Sequence, residues 1–201
     1  MTLDNKTLSY YEKNADTFIK NTINAEFAQT QDEFLELIPD AGLVLDFGCG
    51  SGRDSKYFLE KGYRVEAIDG SAELCKLASE YTGIEVKHEM FSDLSSESRY
   101  DGIWACASIL HLPKDELQDV LGKMVRALKD KGYIYTSFKY GNFEGYRNER
   151  YFTDFTEGSF KEFIDEVQGV VITKMWTSAD VRPDRGDERW LNLILQKLNT
   201  V

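Results

Sequence analysis

Cysteine and histidine are scarce in this chain of 201 residues. The three cysteines, Cys49, Cys75 and Cys106, are odd in number, far apart and without a CxxC pair, and the two histidines are His88 and His111. A disulfide framework requires paired cysteines, and a zinc site requires closely spaced cysteine or histidine ligands. The sequence therefore argues against both, and we predict no metal centre.

Positive charge is also in short supply. Lys and Arg number 24 against 35 for Asp and Glu, so the net charge is −11, and no basic cluster offsets it. A protein with this balance is repelled by phosphate backbones. We therefore predict that its partner is not a nucleic acid.

Long apolar runs are missing as well. No uninterrupted apolar run approaches the length that spans a bilayer, and the opening segment MTLDNKTLSYYEKNAD lacks the apolar core of a signal peptide. We expect a cytoplasmic protein with no membrane partner. Hydrophobic residues make up 42% of the chain and charged residues 29%. This composition is typical of a globular protein, and the length predicts a single domain over residues 1–201.

The hydrophobic pattern predicts helices first and then a regular alternation of strands and helices. Leu8, Tyr11, Ala15 and Phe18 share one helical face, and a second helical face ends before Pro39. Strands are predicted at residues 43–47, 64–69, 84–90, 100–106, 132–138, 169–176 and 189–197. Helices between them are predicted at about residues 53–61, 71–83, 113–128 and 160–167. The segment between residues 138 and 160 is predicted to be an irregular loop rich in aromatic residues.

This alternation determines the predicted fold class. Strands joined through helices form a parallel sheet that is covered on both faces, through right-handed crossovers. The last two strands have no helix between them, so we expect an antiparallel hairpin at one edge. The prediction is a doubly wound, Rossmann-like α/β domain with a seven-stranded, mainly parallel sheet and a C-terminal antiparallel hairpin.

A glycine-rich turn follows the first predicted strand in the segment LDFGCGSGRDS. Gly48, Gly50 and Gly52 have GxGxG spacing, whereas the dinucleotide fingerprint is GxGxxG. Such a turn alone is equally consistent with a purely structural role. Asp69 ends the second strand about 20 residues later, where an acid can accept both ribose hydroxyls, or can simply favour the start of the helix at Ser71. The two features together predict a nucleoside site.

These residues resemble the class I S-adenosylmethionine-dependent methyltransferases. LVLDFGCGSGRDS resembles the first motif of that family, AIDGS the second, YDGIWACASILHL the fourth, and LKDKGYIYTSF the segment usually written LKPGG. Within the family, the chain is most similar to small bacterial proteins related to the tellurite-resistance methyltransferases. The resemblance implies S-adenosyl-L-methionine as cofactor, an N-terminal helical lid over residues 1–40 and a cofactor-binding sheet core over residues 41–201.

The resemblance also implies a set of cofactor-binding residues at the ends of the first four strands. They are Tyr11, Asp46, Gly48, Gly50, Gly52, Asp69, Gly70, Ser71, Met90, Phe91, Ala105 and Cys106. Asp46 and the glycine turn would face the methionine part, Asp69 the ribose, and Met90 and Phe91 the adenine. Met90 and Phe91 could equally be ordinary core. Cys106 is interpreted as a small packing residue and not as a nucleophile, because nothing nearby indicates a lowered thiol pKa.

His111 is the predicted general base, because it follows the fourth strand at the rim where an acceptor approaches. A hydrogen-bonded residue at the entry of the next helix is the alternative. Methyl transfer is an in-line displacement that mainly requires positioning of the nucleophile and exclusion of water. A protein that binds the cofactor without catalysis is the alternative function, and a nicotinamide-dependent oxidoreductase ranks third.

The acceptor is predicted to be a small molecule, and its nucleophilic atom is left open. The loops after the fifth and sixth strands, where the family places acceptor contacts, supply four candidates: Tyr140, Arg147, Arg182 and Arg185. Together with Arg150 and Arg189 they concentrate positive charge in an acidic chain, which favours a small anionic acceptor. The alternative is neutralisation of these arginines by neighbouring acids such as Asp187 and Glu188.

Overall fold

Residues 5–182 and 185–199 are described by a computed structural model of the chain. Two helices, α1 (Asn5–Thr22) and α2 (Ala28–Leu35), precede the sheet. The next part alternates strands and helices: β1 (Leu43–Phe47), α3 (Arg53–Glu60), β2 (Arg64–Asp69), α4 (Ala72–Thr82), β3 (Val86–His88), β4 (Tyr100–Ala105), α5 (Lys114–Ala127) and β5 (Leu128–Lys139). The last part contains β6 (Glu144–Arg147), β7 (Arg150–Thr153), α6 (Glu157–Ile164), β8 (Val170–Ala179) and β9 (Arg189–Lys197).

Seven of these strands form one sheet in the order β3-β2-β1-β4-β5-β9-β8. The first five are parallel to one another, and β9 is antiparallel to both β5 and β8. From β1 the chain adds β2 and β3 on one side, and then returns to add β4 on the other side of β1. The strand order therefore reverses at β1. The predicted doubly wound fold is confirmed, including the C-terminal antiparallel hairpin.

The aromatic segment after β5 is more regular than predicted. Strands β6 and β7 form a separate antiparallel hairpin, so the prediction of an irregular loop is wrong. Asn148 and Glu149 join the two strands with φ angles of 47° and 65°. A two-residue hairpin turn needs positive φ at both central residues, and glycine usually supplies it. Because Asn148 and Glu149 include no glycine, the sequence did not predict a hairpin here.

Two predicted strand boundaries also shift. The third strand covers residues 86–88 and not 84–90, so Met90 and Phe91 lie beyond its end, where Phe91 begins a short 3-10 turn. The fifth strand begins at Leu128, directly after α5, four residues before the predicted start. The third strand is shorter than predicted and the fifth is longer. Both differences lie at strand ends, where the local sequence predicts boundaries least precisely.

The core has two main parts, one on each face of the sheet. Phe34 of α2 and Phe58 of α3 pack with Trp104 of β4 on one face. The neighbours of Trp104 in the strand, Ile103 and Ala105, point to the other face and pack with α5 and α6. This alternation is the period-2 pattern of a strand that is buried on both sides. None of the helices in the described ranges is both long and apolar enough to cross a membrane.

Candidate active site

A large cleft opens at the carboxyl ends of the parallel strands. Its floor is formed by the ends of β1, β2, β4 and β5, and its walls by α1, the β6–β7 hairpin and the β8–β9 connection. The empty volume, including the open mouth, is about 1480 Å³. In doubly wound sheets this edge, next to the reversal in strand order, is where ligands bind.

The turn after β1 brings the backbone into the floor of the cleft. Gly48 and Gly50 line it and have φ angles of 86° and 54°, in the region that side chains other than glycine rarely adopt. A Cβ atom on Gly48 would lie 2.6 Å from the Cβ of Ser108, and one on Gly50 would lie 2.9 Å from the ring of Phe18. Glycine is therefore required here both by conformation and by the close approach of α1 and of the segment that follows β4.

Asp69 lies at the end of β2 with its carboxylate held by two backbone N–H groups. Gly50 N donates to Oδ2 and Ser71 N donates to Oδ1, each over 2.9 Å. Burial raises the pKa of Asp69, and the two N–H donors oppose that rise. A carboxylate oxygen can accept more than one hydrogen bond, so both oxygens keep the capacity to accept from a ligand hydroxyl. Such a fixed pair of acceptors fits the two hydroxyls of a ribose.

Helix α1 lies over this floor and is held at two places by the side chains of Glu12 and Thr7. The Glu12 carboxylate accepts hydrogen bonds from Ala72 N over 2.5 Å and Glu73 N over 3.4 Å, at the N-terminus of α4. Tyr151 N on β7 donates to Thr7 Oγ1 over 3.0 Å. A negative side chain at a helix N-terminus is stabilised by the unpaired N–H groups there. Glu12 therefore acts as a polar latch between α1 and the sheet core.

His111 is buried in the wall of the cleft and uses both ring nitrogens. Nδ1 lies 2.6 Å from the carbonyl oxygen of Tyr151, which can only accept, so Nδ1 carries the hydrogen. In the neutral ring Nε2 is then an acceptor, and the Tyr11 hydroxyl lies 2.8 Å from it and donates to it. Burial lowers the pKa of His111 to about 4. The imidazole is therefore neutral at physiological pH.

Tyr11 connects this histidine to Arg150 on the hairpin. Its hydroxyl donates to His111 and accepts from Arg150 Nη1 over 3.4 Å. Burial raises the pKa of Tyr11, and the positive charge of Arg150 opposes that rise. The three residues come from α1, from the segment after β4 and from β7, and they meet only in the folded protein. They give the cleft a neutral base, a phenol and a cation in one place.

Some residues predicted from the resemblance lie in the cleft and some do not. Those that line it are Tyr11, Gly48, Gly50, Asp69, Gly70, Met90, Phe91, Cys106, His111, Arg182 and Arg185. Asp46, Gly52, Ser71, Ala105, Tyr140 and Arg147 are outside its lining. The lining residues remain candidates for ligand contacts. The other six do not face the cleft, and their contacts lie elsewhere in the structure.

Three of the outer residues have structural roles. The Asp46 carboxyl accepts from Ser55 Oγ over 2.6 Å, and burial together with the charge of Asp54 raises its pKa. Ser71 caps α4, because its hydroxyl accepts from Leu74 N over 3.2 Å. Gly52 has a φ of 76° immediately before α3, which favours glycine. These side chains and turns support the site from behind and do not line it.

The predicted arginines are paired with acids. Arg182 forms a forked pair with Asp180, with Nε–Oδ1 and Nη2–Oδ2 distances of 2.9 and 2.5 Å. Arg147 pairs with Asp154 over 2.5 Å, and Arg185 lies 3.5 Å from Glu188. The Tyr140 hydroxyl donates to Glu157 over 2.7 Å. Neutralisation by neighbouring acids, the alternative weighed from the sequence, describes these arginines better than a free anion site.

The two cysteines near the site have the properties of packing residues. Burial raises the pKa of Cys106 to about 12 and raises that of Cys49 well above its usual range. A thiol with a raised pKa is a poor nucleophile at neutral pH. No motif of the sequence pointed to Ser108, whose hydroxyl donates to the Phe47 carbonyl over 2.6 Å and ties the segment after β4 to β1 beneath the cleft.

The fold and the cleft define a Rossmann-like α/β domain with an open cleft at the ends of its parallel strands. A family model described as a methyltransferase domain matches residues 44–132. An uncharacterized methyltransferase of Staphylococcus carnosus is 26% identical over 168 residues, which cover 75% of this chain and 81% of the relative.

Two solved structures share the fold over nearly the whole chain. One is a 1,6-didemethyltoxoflavin-N1-methyltransferase of Burkholderia thailandensis with bound 1,6-didemethyltoxoflavin and S-adenosylhomocysteine. It is 23% identical, with a TM-score of 0.73, covering 95% of this chain and 85% of that one. The other is a TehB-like SAM-dependent methyltransferase of Corynebacterium glutamicum, 20% identical, with a TM-score of 0.69 and coverage of 94% and 98%. At these identities the structures establish a common fold. The family model, the relative and both solved structures are methyltransferases, and this chain is similar to them in fold and in part of its sequence.

Proposed function

We propose that this protein is an S-adenosylmethionine-dependent methyltransferase and that it transfers the methyl group to a small-molecule acceptor by in-line displacement. The observation that carries the proposal is the Asp69 carboxylate at the end of β2. Both of its oxygens are oriented by backbone N–H groups, and both retain acceptor capacity toward the cleft. An acid that is fixed in this way, beside a glycine turn at the edge of a doubly wound sheet, suits the ribose of a nucleoside cofactor.

The residues around Asp69 fit the rest of such a cofactor. Met90 and Phe91 give an apolar surface beyond the end of β3 that suits an adenine ring, and Phe91 packs 4.7 Å from Phe47 between ring centroids. Gly48 and Gly50 line the cleft without side chains of their own, so the backbone of this turn is open to a ligand. When bound, the cofactor supplies a methyl carbon that is activated by its positively charged leaving group.

Tyr11 and His111 would handle the proton of a protonated acceptor. After methyl transfer the nucleophile becomes more acidic, so a weak base is sufficient to remove its proton. Tyr11 can take that proton while its own proton moves to Nε2 of His111, along the 2.8 Å hydrogen bond between them. His111 is neutral at physiological pH and has Nε2 as its acceptor, which is the protonation state that this role requires. An acceptor that attacks through a lone pair and has no proton to lose would not need the pair.

The proposal is tested by measuring cofactor binding and turnover. We expect S-adenosylhomocysteine to bind by calorimetry, and labelled methyl groups to move from S-adenosylmethionine to small molecules in a metabolite extract. Asp69→Ala removes acceptors for two hydroxyls and should weaken S-adenosylhomocysteine by roughly 1.5 to 3 kcal/mol.

Asp119→Ala is the matched control, since Asp119 is an exposed acid on α5 outside the cleft. Native affinity in the Asp69→Ala protein would remove the cofactor-site assignment. Binding without any transfer to the extract would instead favour a non-catalytic cofactor-binding protein.

A further inference from the structure

The cationic side chains that line the cleft are not equivalent. They are Arg53, Lys139, Arg150, Arg182 and Arg185. Arg53 pairs with Asp54 over 2.7 Å, Arg182 pairs with Asp180, and Lys139 and Arg185 share Glu188. Among the described residues, no carboxylate lies within ion-pair distance of Arg150. Of these five side chains, Arg150 is the one that has no carboxylate partner in the described part of the chain.

The guanidinium of Arg150 is enclosed by aromatic rings and has few hydrogen-bond partners. Its Cζ atom lies 4.5 Å from the centroid of the Tyr10 ring and 5.2 Å from that of Phe152. Its Nη1 makes one long hydrogen bond, 3.4 Å to the Tyr11 hydroxyl. Its Nε is buried and has no hydrogen-bond partner among the residues that the structure describes. The rings offset part of the desolvation of the charge, but they leave a buried donor unsatisfied.

A small anion would complete this arrangement. An unpaired cation in a low-dielectric site is costly, and a carboxylate satisfies a guanidinium through two parallel hydrogen bonds. The net charge of −11 repels anions from most of the molecule. Because Arg150 lines the cleft, its guanidinium can determine where an anion binds. The rings of Tyr11 and Phe152, which also line the cleft, suit an apolar or aromatic body next to the charged group.

We propose that the methyl acceptor is a small organic acid whose carboxylate binds to Arg150. This inference rests on the proposed function and specifies its acceptor. The anchor lies beside the Tyr11 hydroxyl, so the bound acid is held next to Tyr11 and His111. The anchor differs from the arginines expected from the sequence, because Arg182 and Arg185 already have carboxylate partners.

The test uses two probes of the same shape and different charge. Benzoate and benzamide are titrated into the protein saturated with S-adenosylhomocysteine, and into the protein without it, with binding followed by calorimetry and NMR. We expect benzoate to bind about tenfold more tightly than benzamide, and Arg150→Met to remove that preference, since one charge-assisted fork is worth about a tenfold factor or more. Arg150→Lys keeps the charge without the fork and should retain part of the preference.

Arg147→Met is the matched control, because Arg147 is on the same hairpin, is paired with Asp154 and lies outside the cleft. It should leave the preference for benzoate unchanged. Equal binding of benzoate and benzamide to the unaltered protein would overturn the proposal, and this readout does not depend on the folding of any variant.

A second arm asks whether Arg150 holds the carboxylate of the cofactor instead. S-adenosylhomocysteine carries an amino-acid tail, and 5′-methylthioadenosine lacks it. If Arg150→Met weakens the first by about tenfold and leaves the second unchanged, the arginine binds the cofactor and the proposal is overturned. We expect both affinities to change by less than about twofold. Absence of S-adenosylhomocysteine binding to the unaltered protein would reject the proposed function, while the probes would still report on the anion site.

Discussion

His111 shows how the environment of one residue changes its expected chemistry. A histidine at the rim of the cleft predicts a base that titrates near neutrality. In the structure the ring is buried, donates from Nδ1 to the Tyr151 carbonyl and accepts from Tyr11 at Nε2. Both interactions engage the neutral form of the ring. The residue is therefore a base that is ready at neutral pH and that loses this capacity only in acid.

The lowered pKa of His111 predicts a specific dependence of stability on pH. The folded pKa is about 4, below the usual value of 6.5, so the unfolded chain binds the proton more tightly. The contribution of His111 to stability is therefore complete above about pH 6.5 and is lost as pH falls toward 4. Relative to His111→Gln, we expect the free energy of unfolding to fall by roughly 3 kcal/mol between pH 7 and pH 4.

Urea titrations of both proteins at several pH values measure this difference, and NMR titration of the His111 ring signal measures the pKa directly. The His111→Gln spectrum identifies which of the two histidine signals belongs to His111. A ring that titrates near pH 6.5 would contradict the buried, neutral imidazole. Once an acceptor is known, turnover should show no decline between pH 8 and pH 6 that comes from His111.

At the scale of elements, α1 and the β6–β7 hairpin complete the cleft from above the sheet. Tyr11 and Phe18 of α1 face the floor, with ring centroids 5.2 Å apart, and Phe18 reaches the glycine turn. The hairpin supplies Arg150 and contacts α1 through Tyr151 and Thr7. Neither element adds a strand to the main sheet. Their packing determines access to the cleft more than it determines the fold.

Release of the Glu12 latch should loosen α1 and weaken cofactor binding. Glu12→Ala removes the acceptor for Ala72 N and Glu73 N, and we expect a decrease of about two- to fivefold in affinity for S-adenosylhomocysteine. Lys13→Ala alters the neighbouring exposed residue and should have no effect. Calorimetry gives the affinities, and hydrogen exchange reports the opening of α1.

Deletion of residues 1–22 is the larger version of this change, and we expect it to reduce affinity by more than tenfold while the sheet core stays folded. If the shortened protein unfolds, or binds the cofactor as tightly as the full chain, α1 is not a lid. The lid over residues 1–40 remains a prediction until this is measured.

At the scale of the whole molecule, buried acids behind the cleft link stability to pH in the opposite sense from His111. Burial and the nearby charge of Asp54 raise the pKa of Asp46, so the folded protein binds this proton more tightly than the unfolded chain does. The corresponding stability is complete below the unfolded pKa, near 4, and is lost as pH rises through the raised folded pKa. Asp46 is joined to α3 by Ser55.

Replacement of Asp46 by Asn should remove this dependence. We expect the free energy of unfolding of the unaltered protein to decrease, relative to Asp46→Asn, by about 1 kcal/mol or more between pH 5 and pH 8. Urea titrations at both pH values measure the change. Asp119→Asn, at an exposed position of α5, serves as the control and should follow the unaltered protein. A constant difference between the two Asp46 proteins would show that this carboxyl is ionised throughout.

The sequence by itself determined the sheet, the crossovers and the nucleoside-type turn. These features are local: a period of two or 3.6 residues, a glycine where φ is positive, and an acid at the end of a strand. Asp69 and the glycine turn could be found for that reason. The sequence also placed the final two strands in an antiparallel hairpin, since they lack the helix that a parallel connection needs.

Only the tertiary structure decided how the cleft is completed. Tyr11, His111 and Arg150 are separated by up to 139 positions, and no local pattern shows that their polar atoms meet. Which arginine has a carboxylate partner depends on acids that folding brings near, so the five arginines of these loops looked alike in the sequence. The burial that lowers the pKa of His111 is likewise a property of packing. Long-range approach and desolvation arise only when the chain is folded, and they determine the chemistry of this site.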